Sequence, residues 1–192
     1  MVTMGLTEWA YSLSESMLAE PLPRRWAHSL GVAKRARSLA PILGDDAELL
    51  EAAAVLHDIG YSPEIALTGF HPLDGARFLR GQEGVDERVV RLVAHHSCAL
   101  LEAEERGLRH ELESEFKLER PDLVDALLFC DMTTTPDGTH TAPTDRLNEI
   151  VQRYGPETIV GRFIQRAAPE IHAASRRVEG RLVQAQTADQ PM

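Results

Sequence analysis

The run Ala52-Ala53-Ala54-Val55-Leu56-His57-Asp58-Ile59-Gly60 sets an imidazole and a carboxylate side by side at the end of an otherwise apolar segment. An ionised carboxylate among apolar side chains is very costly unless something pairs with it. A chain that buries this doublet has to fold so that other parts of the sequence bring partners to it.

The partners stand on further apolar stripes. Residues three and four apart share one face of a helix. His57 continues the stripe Leu50, Ala53 and Ala54, and His28 shares one with Val32, Ala36 and Leu39. Asp131 follows Leu127 and Leu128 at the same spacing, as His96 follows Leu92 and Val93, and His95 lies three residues after Leu92. Each has a plain structural explanation when taken alone: a hydrogen-bonded core histidine, an aspartate bracing a helix, a chance pair among eight histidines. Together they put metal-binding groups on the inward faces of four helices, which is reasonable if the groups share a cation. Imidazole and carboxylate suit Fe, Mn, Zn, Co or Ni better than Ca or Mg alone.

Helical periodicity dominates the chain and no alternating strand pattern stands out. Helices are expected over about 6–19, 24–40, 47–57, 71–81, 85–96 and 121–132, with two or three more between 144 and 184. Pro41 is expected to stop the second, and Gly44-Asp45-Asp46 to offer a break and a cap. Pro72 suits a first helical position. The densely charged residues 100–120 read as a protruding helix or lid, Thr133 to Thr139 as a plain loop, and the last eight residues as frayed. This is an all-α, single-domain helical bundle of seven or more helices.

At 192 residues one compact domain is expected. A net charge of −10 argues against a basic groove for duplex nucleic acid. It does not exclude a small anionic substrate, because a bound cation reverses the local field. No apolar stretch reaches membrane-spanning length, and the N-terminus lacks a secretory pattern. Cys98 and Cys130 make no disulfide framework and read as buried thiols, so a reducing cytoplasm is the expected setting.

His28, the doublet His57-Asp58 and the distant Asp131 resemble, in that order, the signature of the HD superfamily of metal-dependent phosphohydrolases. Leu56-His57-Asp58-Ile59-Gly60 is similar to the HDIG form, and Trp26-Ala27-His28-Ser29-Leu30-Gly31-Val32-Ala33 to the family's first helix. His71-Pro72-Leu73-Asp74-Gly75-Ala76 and His95-His96 resemble segments that carry a second metal in HDIG and HD-GYP members. The resemblance implies an N-terminal helix over 1–21, an HD domain over 22–135, C-terminal helices over 136–184 packed on it, and a tail over 185–192. It implies one cation on His28, His57, Asp58 and Asp131 and a second on His71, His95 and His96, with Asp58 as the bridge beside an activated water. Ser97-Cys98-Ala99-Leu100 follows the double histidine where HD-GYP proteins carry Gly-Tyr-Pro, so cyclic-di-GMP is not the expected substrate. Tyr61 stands where the HDIG motif often continues with lysine.

The implied activity is hydrolysis of a phosphate ester or anhydride of a small, nucleotide-like molecule. Candidates for contact with its phosphate are Arg24, Arg25, Lys34, Arg35, Tyr61, Thr133, Thr134 and Thr135, with His140 as a weaker one. Three alternatives are a di-iron oxygenase on the same fold, a metal-binding sensory module without turnover, and action on nucleic-acid ends.

Overall fold

A computed structural model describes residues 4–188. Eleven α-helices and no β-strand occur among them. They are α1 (Leu6–Leu18), α2 (Pro23–Arg37), α3 (Ala40–Leu43), α4 (Ala47–Leu56), α5 (His71–Arg80), α6 (Glu87–Ala94), α7 (Ala99–Arg106), α8 (Arg109–Glu115), α9 (Pro121–Met132), α10 (Pro143–Tyr154) and α11 (Ile159–Ala188). The all-α single domain expected from the periodicity is the fold observed.

The helix α4 is the axis of the bundle. Ala52 to Leu56 are all fully buried, so this helix has no solvent face over its last turns. Its alanines let α1, α2, α6 and α9 approach closely. Leu50, Leu56, Val32, Leu92, Val93, Leu123 and Phe129 fill the space between them. A second apolar cluster joins Leu128 and Met132 of α9 to Ile150 of α10 and to Phe163, Ile164 and Ile171 of α11. The α10–α11 hairpin therefore covers the outer face of α9, beside the end that carries Asp131.

Four local expectations need correction. Pro41 does not end α2, which stops at Arg37; it sits in the first turn of α3, where a missing N–H costs nothing. Asp46 makes no side-chain cap and pairs instead with Arg88 and Arg120. The charged segment 100–120 is not a protrusion, because Ala103, Leu112 and Phe116 lie in the main core and, Glu102 apart, the charges of α7 and α8 face outward. At the C-terminus α11 runs on to Ala188, past the point where fraying was expected, and residues 189–192 lie outside the described part.

Candidate metal centre

Two close backbone approaches set the site. A Cβ on Gly60 would come within 1.9 Å of the His71 carbonyl oxygen, so only glycine lets the start of α5 lie against the turn after His57-Asp58. Gly75 meets the same turn from the next winding of α5. On the other side, a Cβ on Gly31 would fall 2.4 Å from the Gly138 carbonyl oxygen. That contact lays the 133–139 loop on α2. It also puts the Thr135 carbonyl 2.9 Å from His28 Nδ1.

Six expected ligands meet at the centre of the bundle. His28, His57 and Asp131 form one group and His57, Asp58 and His96 another, the ligand atoms of each group lying within 4.8 Å of one another. His57 is common to both groups, and Asp58 belongs to the second. Asp58 Oδ1 is 3.4 Å from His57 Nε2, 3.3 Å from His71 Nε2 and 3.9 Å from His96 Nε2; its Oδ2 is 4.0 Å from His28 Nε2. Asp131 Oδ1 lies 2.9 Å from His28 Nε2 and 3.8 Å from His57 Nε2.

The hydrogen bonds fit these residues to cations. Carbonyl oxygens only accept, so Nδ1 carries the proton in His28 (to Thr135), His57 (to Ala54, 2.7 Å) and His96 (to Val93, 2.7 Å). In the neutral ring Nε2 then presents a lone pair, the arrangement by which an outer hydrogen bond orients a metal-binding imidazole. His57 Nε2 is buried and has no hydrogen-bond partner. His28 Nε2 faces a carboxylate oxygen, an arrangement that calls for a proton or a cation between them.

The electrostatics point the same way. Burial raises the Asp58 carboxyl, but His57, Arg25 and His71 outweigh it and hold the group well below the usual carboxylate range. Burial likewise raises Asp131, and His28 and His57, with Arg146, carry it far down. Burial lowers His57, with partial compensation from Asp58 and Asp131. It takes His71 to about 3, against the opposing pull of Asp58. Charged carboxylates and neutral imidazoles are the forms that ligate metal.

His95 does not join them. Its Nε2 donates to the Phe116 carbonyl at 2.7 Å and its buried Nδ1 has no hydrogen-bond partner; unlike His71, which also stands outside the two groups but lies 3.3 Å from Asp58, it makes no close contact with the other candidates. The reason is local. The helix α6 ends at Ala94, and His95 itself leaves the helical path at φ −111° and ψ 16°, ahead of Ser97 and Cys98 at the left-handed φ values of 49° and 61°. Adjacent histidines at such a turn face different ways. His96 turns to the centre, where its Nε2 is 3.0 Å from His71 Nε2, and Ser97 Oγ donates to Asp131 Oδ2 at 2.5 Å.

The weaker candidates divide. Arg25 reaches the centre, with Nη1 2.5 Å from Asp58 Oδ2 and its guanidinium 3.6 Å above the Tyr61 ring. Tyr61 in turn stacks on His71 with ring centroids 3.9 Å apart. It is a platform that aligns a cation on one face and a ligand on the other, and it fills the place where related motifs put lysine. Arg24 does not reach Asp58; it is exposed, paired with Asp137, and borders the neighbouring cavity together with Arg25, Arg146 and Arg153. Lys34, Arg35, Thr133, Thr134 and His140 border a different surface cavity. The hydroxyls of Thr133 and Thr134 are turned back onto the Phe129 and Cys130 carbonyls, and that of Thr135 meets Thr139.

The cavity over Asp58 holds about 70 Å³. Its near wall is the cluster of ligands. Its far wall is Ile150, Tyr154, Val160 and Phe163 from the C-terminal helices, and Glu102, Arg146 and Arg153 also line it. The sequence reading missed these. Only Arg146 carried a usable signal, as an arginine one helical turn before the apolar Ile150. Glu102 is a buried carboxyl that desolvation raises and Arg106 partly restores.

The family model described as HD domain matches residues 25–135, more than half of the chain and the span that contains all six converging candidate residues. The chain belongs to the HD domain family. Among curated proteins, its HD domain is similar to a part of Ribonuclease Y from Rubrobacter xylanophilus, 39% identical over 70 residues, which is 36% of this chain and 14% of that protein. Ribonuclease Y from Rhodopirellula baltica is 39% identical over 69 residues, 36% of this chain and 13% of the relative. A tRNA (cytidine(56)-2'-O)-methyltransferase from Thermoplasma volcanium is 38% identical over 78 residues, 41% of this chain and 22% of the relative. The matched segments thus span less than a quarter of each relative's length. No solved structure matches the chain. No helix among the described residues is long and apolar enough to cross a membrane.

Proposed function

We propose that this HD domain is a metal-dependent phosphohydrolase that cleaves a phosphate ester or anhydride of a small, nucleotide-like molecule. The observation that carries the reading is the position of Asp58. Its Oδ1 faces His57, His71 and His96, and its Oδ2, paired with Arg25, lies 4.0 Å from His28, so one carboxylate has imidazoles of both proposed ligand sets around it. One cation would be held by His28, His57, Asp58 and Asp131, and a second by Asp58, His71 and His96. Iron, manganese, cobalt, nickel and zinc all suit this donor set. When bound, such a pair supplies an activated water and offsets the charge that develops on the phosphoryl group.

The chain's own residues supply orientation and donors. The carbonyls of Ala54, Val93 and Thr135 fix the ring faces of His57, His96 and His28. Ser97 does the same for Asp131. Arg25, held flat on Tyr61, offers N–H donors at the edge of the centre, a geometry suited to phosphoryl oxygens. The apolar wall of Ile150, Val160 and Phe163 excludes water from the far side of the cavity and suits the organic part of a substrate.

Two of the matched relatives are named ribonucleases, which agrees with chemistry at phosphorus. The net charge of −10 favours a small substrate over a long nucleic acid for this chain. The test is elemental analysis of protein purified without chelator, then a screen of phosphorylated compounds with Mn, Fe, Co and Ni. Metal-dependent phosphate release that Asp58→Ala abolishes is the expected result. Oxygen uptake with a substrate, and no phosphate release from any compound, would favour the oxygenase chemistry instead.

A further inference from the structure

The helix α10 lies outside the span matched by the HD family model, yet it sends two arginines to the centre. Arg146 and Arg153 stand seven residues apart, two helical turns, and so share one face. Both line the cavity over Asp58, and both also line a neighbouring cavity of about 290 Å³ that opens toward Pro21 and Leu22. Arg25 and His28 border the two cavities as well, which makes them adjoining chambers with one shared wall.

Arg146 is an unusual residue to find in that wall. It is only 7% exposed, and its Nε is buried with no hydrogen-bond partner. A buried guanidinium with an unused donor is costly, and a fold retains it most readily where a ligand completes it. Its partner, Glu149, accepts from Arg146 Nη1 at 2.5 Å and forms an ion pair with Arg153, whose Nε is 3.1 Å away. Glu149 is thus shared by two guanidiniums and Asp131 also lies in the field of Arg146, so what invites a ligand is the unpartnered Arg146 Nε in the wall and not a net positive charge. A single phosphoryl group at the cations is already provided for by Arg25. A second pair of arginines one chamber further on suits a second anionic group on the same substrate.

We propose that Arg146 and Arg153 form a subsite for a further phosphoryl group, so that the substrate carries a phosphoanhydride chain running from the cation centre into the neighbouring chamber. This deepens the phosphohydrolase reading and rests on it. Paired guanidiniums match phosphate oxygens two at a time, which a lysine pair would not do.

Calorimetric titration of the purified full chain with inorganic tripolyphosphate, orthophosphate and tricarballylate tests the subsite without any turnover. Tripolyphosphate is expected to bind at least tenfold more tightly than orthophosphate, and Arg153→Gln to weaken tripolyphosphate about tenfold while affecting orthophosphate less. Arg146→Gln is expected to act in the same direction. Arg153 lies nearer the surface, so its variant keeps the test decisive if the buried change disturbs folding. As a second readout, Arg153→Gln should lower kcat/KM for a nucleoside triphosphate at least tenfold relative to that for p-nitrophenyl phosphate, mainly through KM. Equal affinity of wild type and Arg153→Gln for tripolyphosphate would overturn the subsite, and so would tricarballylate binding as well as tripolyphosphate. If no phosphorylated compound is turned over, the hydrolase reading fails by itself, and the titrations still decide whether the chamber holds a polyphosphate.

Discussion

His28 Nε2 lies 2.9 Å from Asp131 Oδ1, across 103 residues of sequence, while His28 Nδ1 is committed to the Thr135 carbonyl. The imidazole therefore turns a lone pair toward a carboxylate unless it is doubly protonated or a cation lies between. This contact joins the first and last parts of the HD domain. Asp131→Ala is expected to remove most bound metal, as is His57→Ala, measured by elemental analysis after desalting. Full metal content in Asp131→Ala would place the cation elsewhere.

Gly60 is expected to be intolerant of a side chain. Its added Cβ would strike backbone, the His71 carbonyl, and backbone cannot swing aside as a flexible side chain does. Gly60→Ala should cost about 1–3 kcal/mol of stability or more by overpacking. It should also lower metal content, because α5 and His71 must shift. Chemical denaturation with a matched metal assay checks both, and an unperturbed variant would show that the approach is looser than described.

His95→Ala should separate structure from ligation. The ring donates to Phe116 and is buried, so its loss should cost about 1–3 kcal/mol. The metal count should stay unchanged. A fall of one ion per chain would return His95 to the ligand set implied by the family resemblance.

The metal-free protein should lose stability as pH falls below the ordinary imidazole value. His57 and His71 have folded values depressed below 6.5, the latter to about 3. The folded form then binds fewer protons than the unfolded chain, so their contribution is complete above about 6.5 and is lost progressively as pH falls toward the folded value. Asp58 and Asp131, also depressed, act with the same sign at lower pH. Thermal melts in chelator between pH 7.5 and 4.5 should show a falling Tm, and a flat profile would contradict the burial of neutral rings.

Much of this was legible in the sequence because helices write their buried face at a fixed spacing. His28, His57, His96 and Asp131 each extend a stripe of fully or nearly fully buried residues, so periodicity alone places them inward. His95 was not legible. It stands on the same stripe as Leu92, and the helix ends one residue before it, so the helical spacing no longer says which of two adjacent rings faces the centre. Thr133 and Thr134 follow Asp131 in sequence, but their hydroxyls satisfy the last carbonyls of α9 and are not free for a ligand. Arg146 and Arg153 escaped notice because their role depends on how the α10–α11 hairpin folds back over α9, a long-range contact that no local pattern encodes.

The number of ions per chain tests the two-cation centre most directly. His71 lies 3.3 Å from Asp58 and 3.0 Å from His96, on their side of the centre, and stands outside both tight groups of ligand atoms. Elemental analysis of the wild-type protein and of His71→Ala, both purified without chelator, should give about two ions and about one ion per chain, with hydrolysis falling far more than stability. One ion in both proteins, with His71→Ala altered only in its melting temperature, would contradict the shared-carboxylate centre and leave His71 as a structural residue at the start of α5.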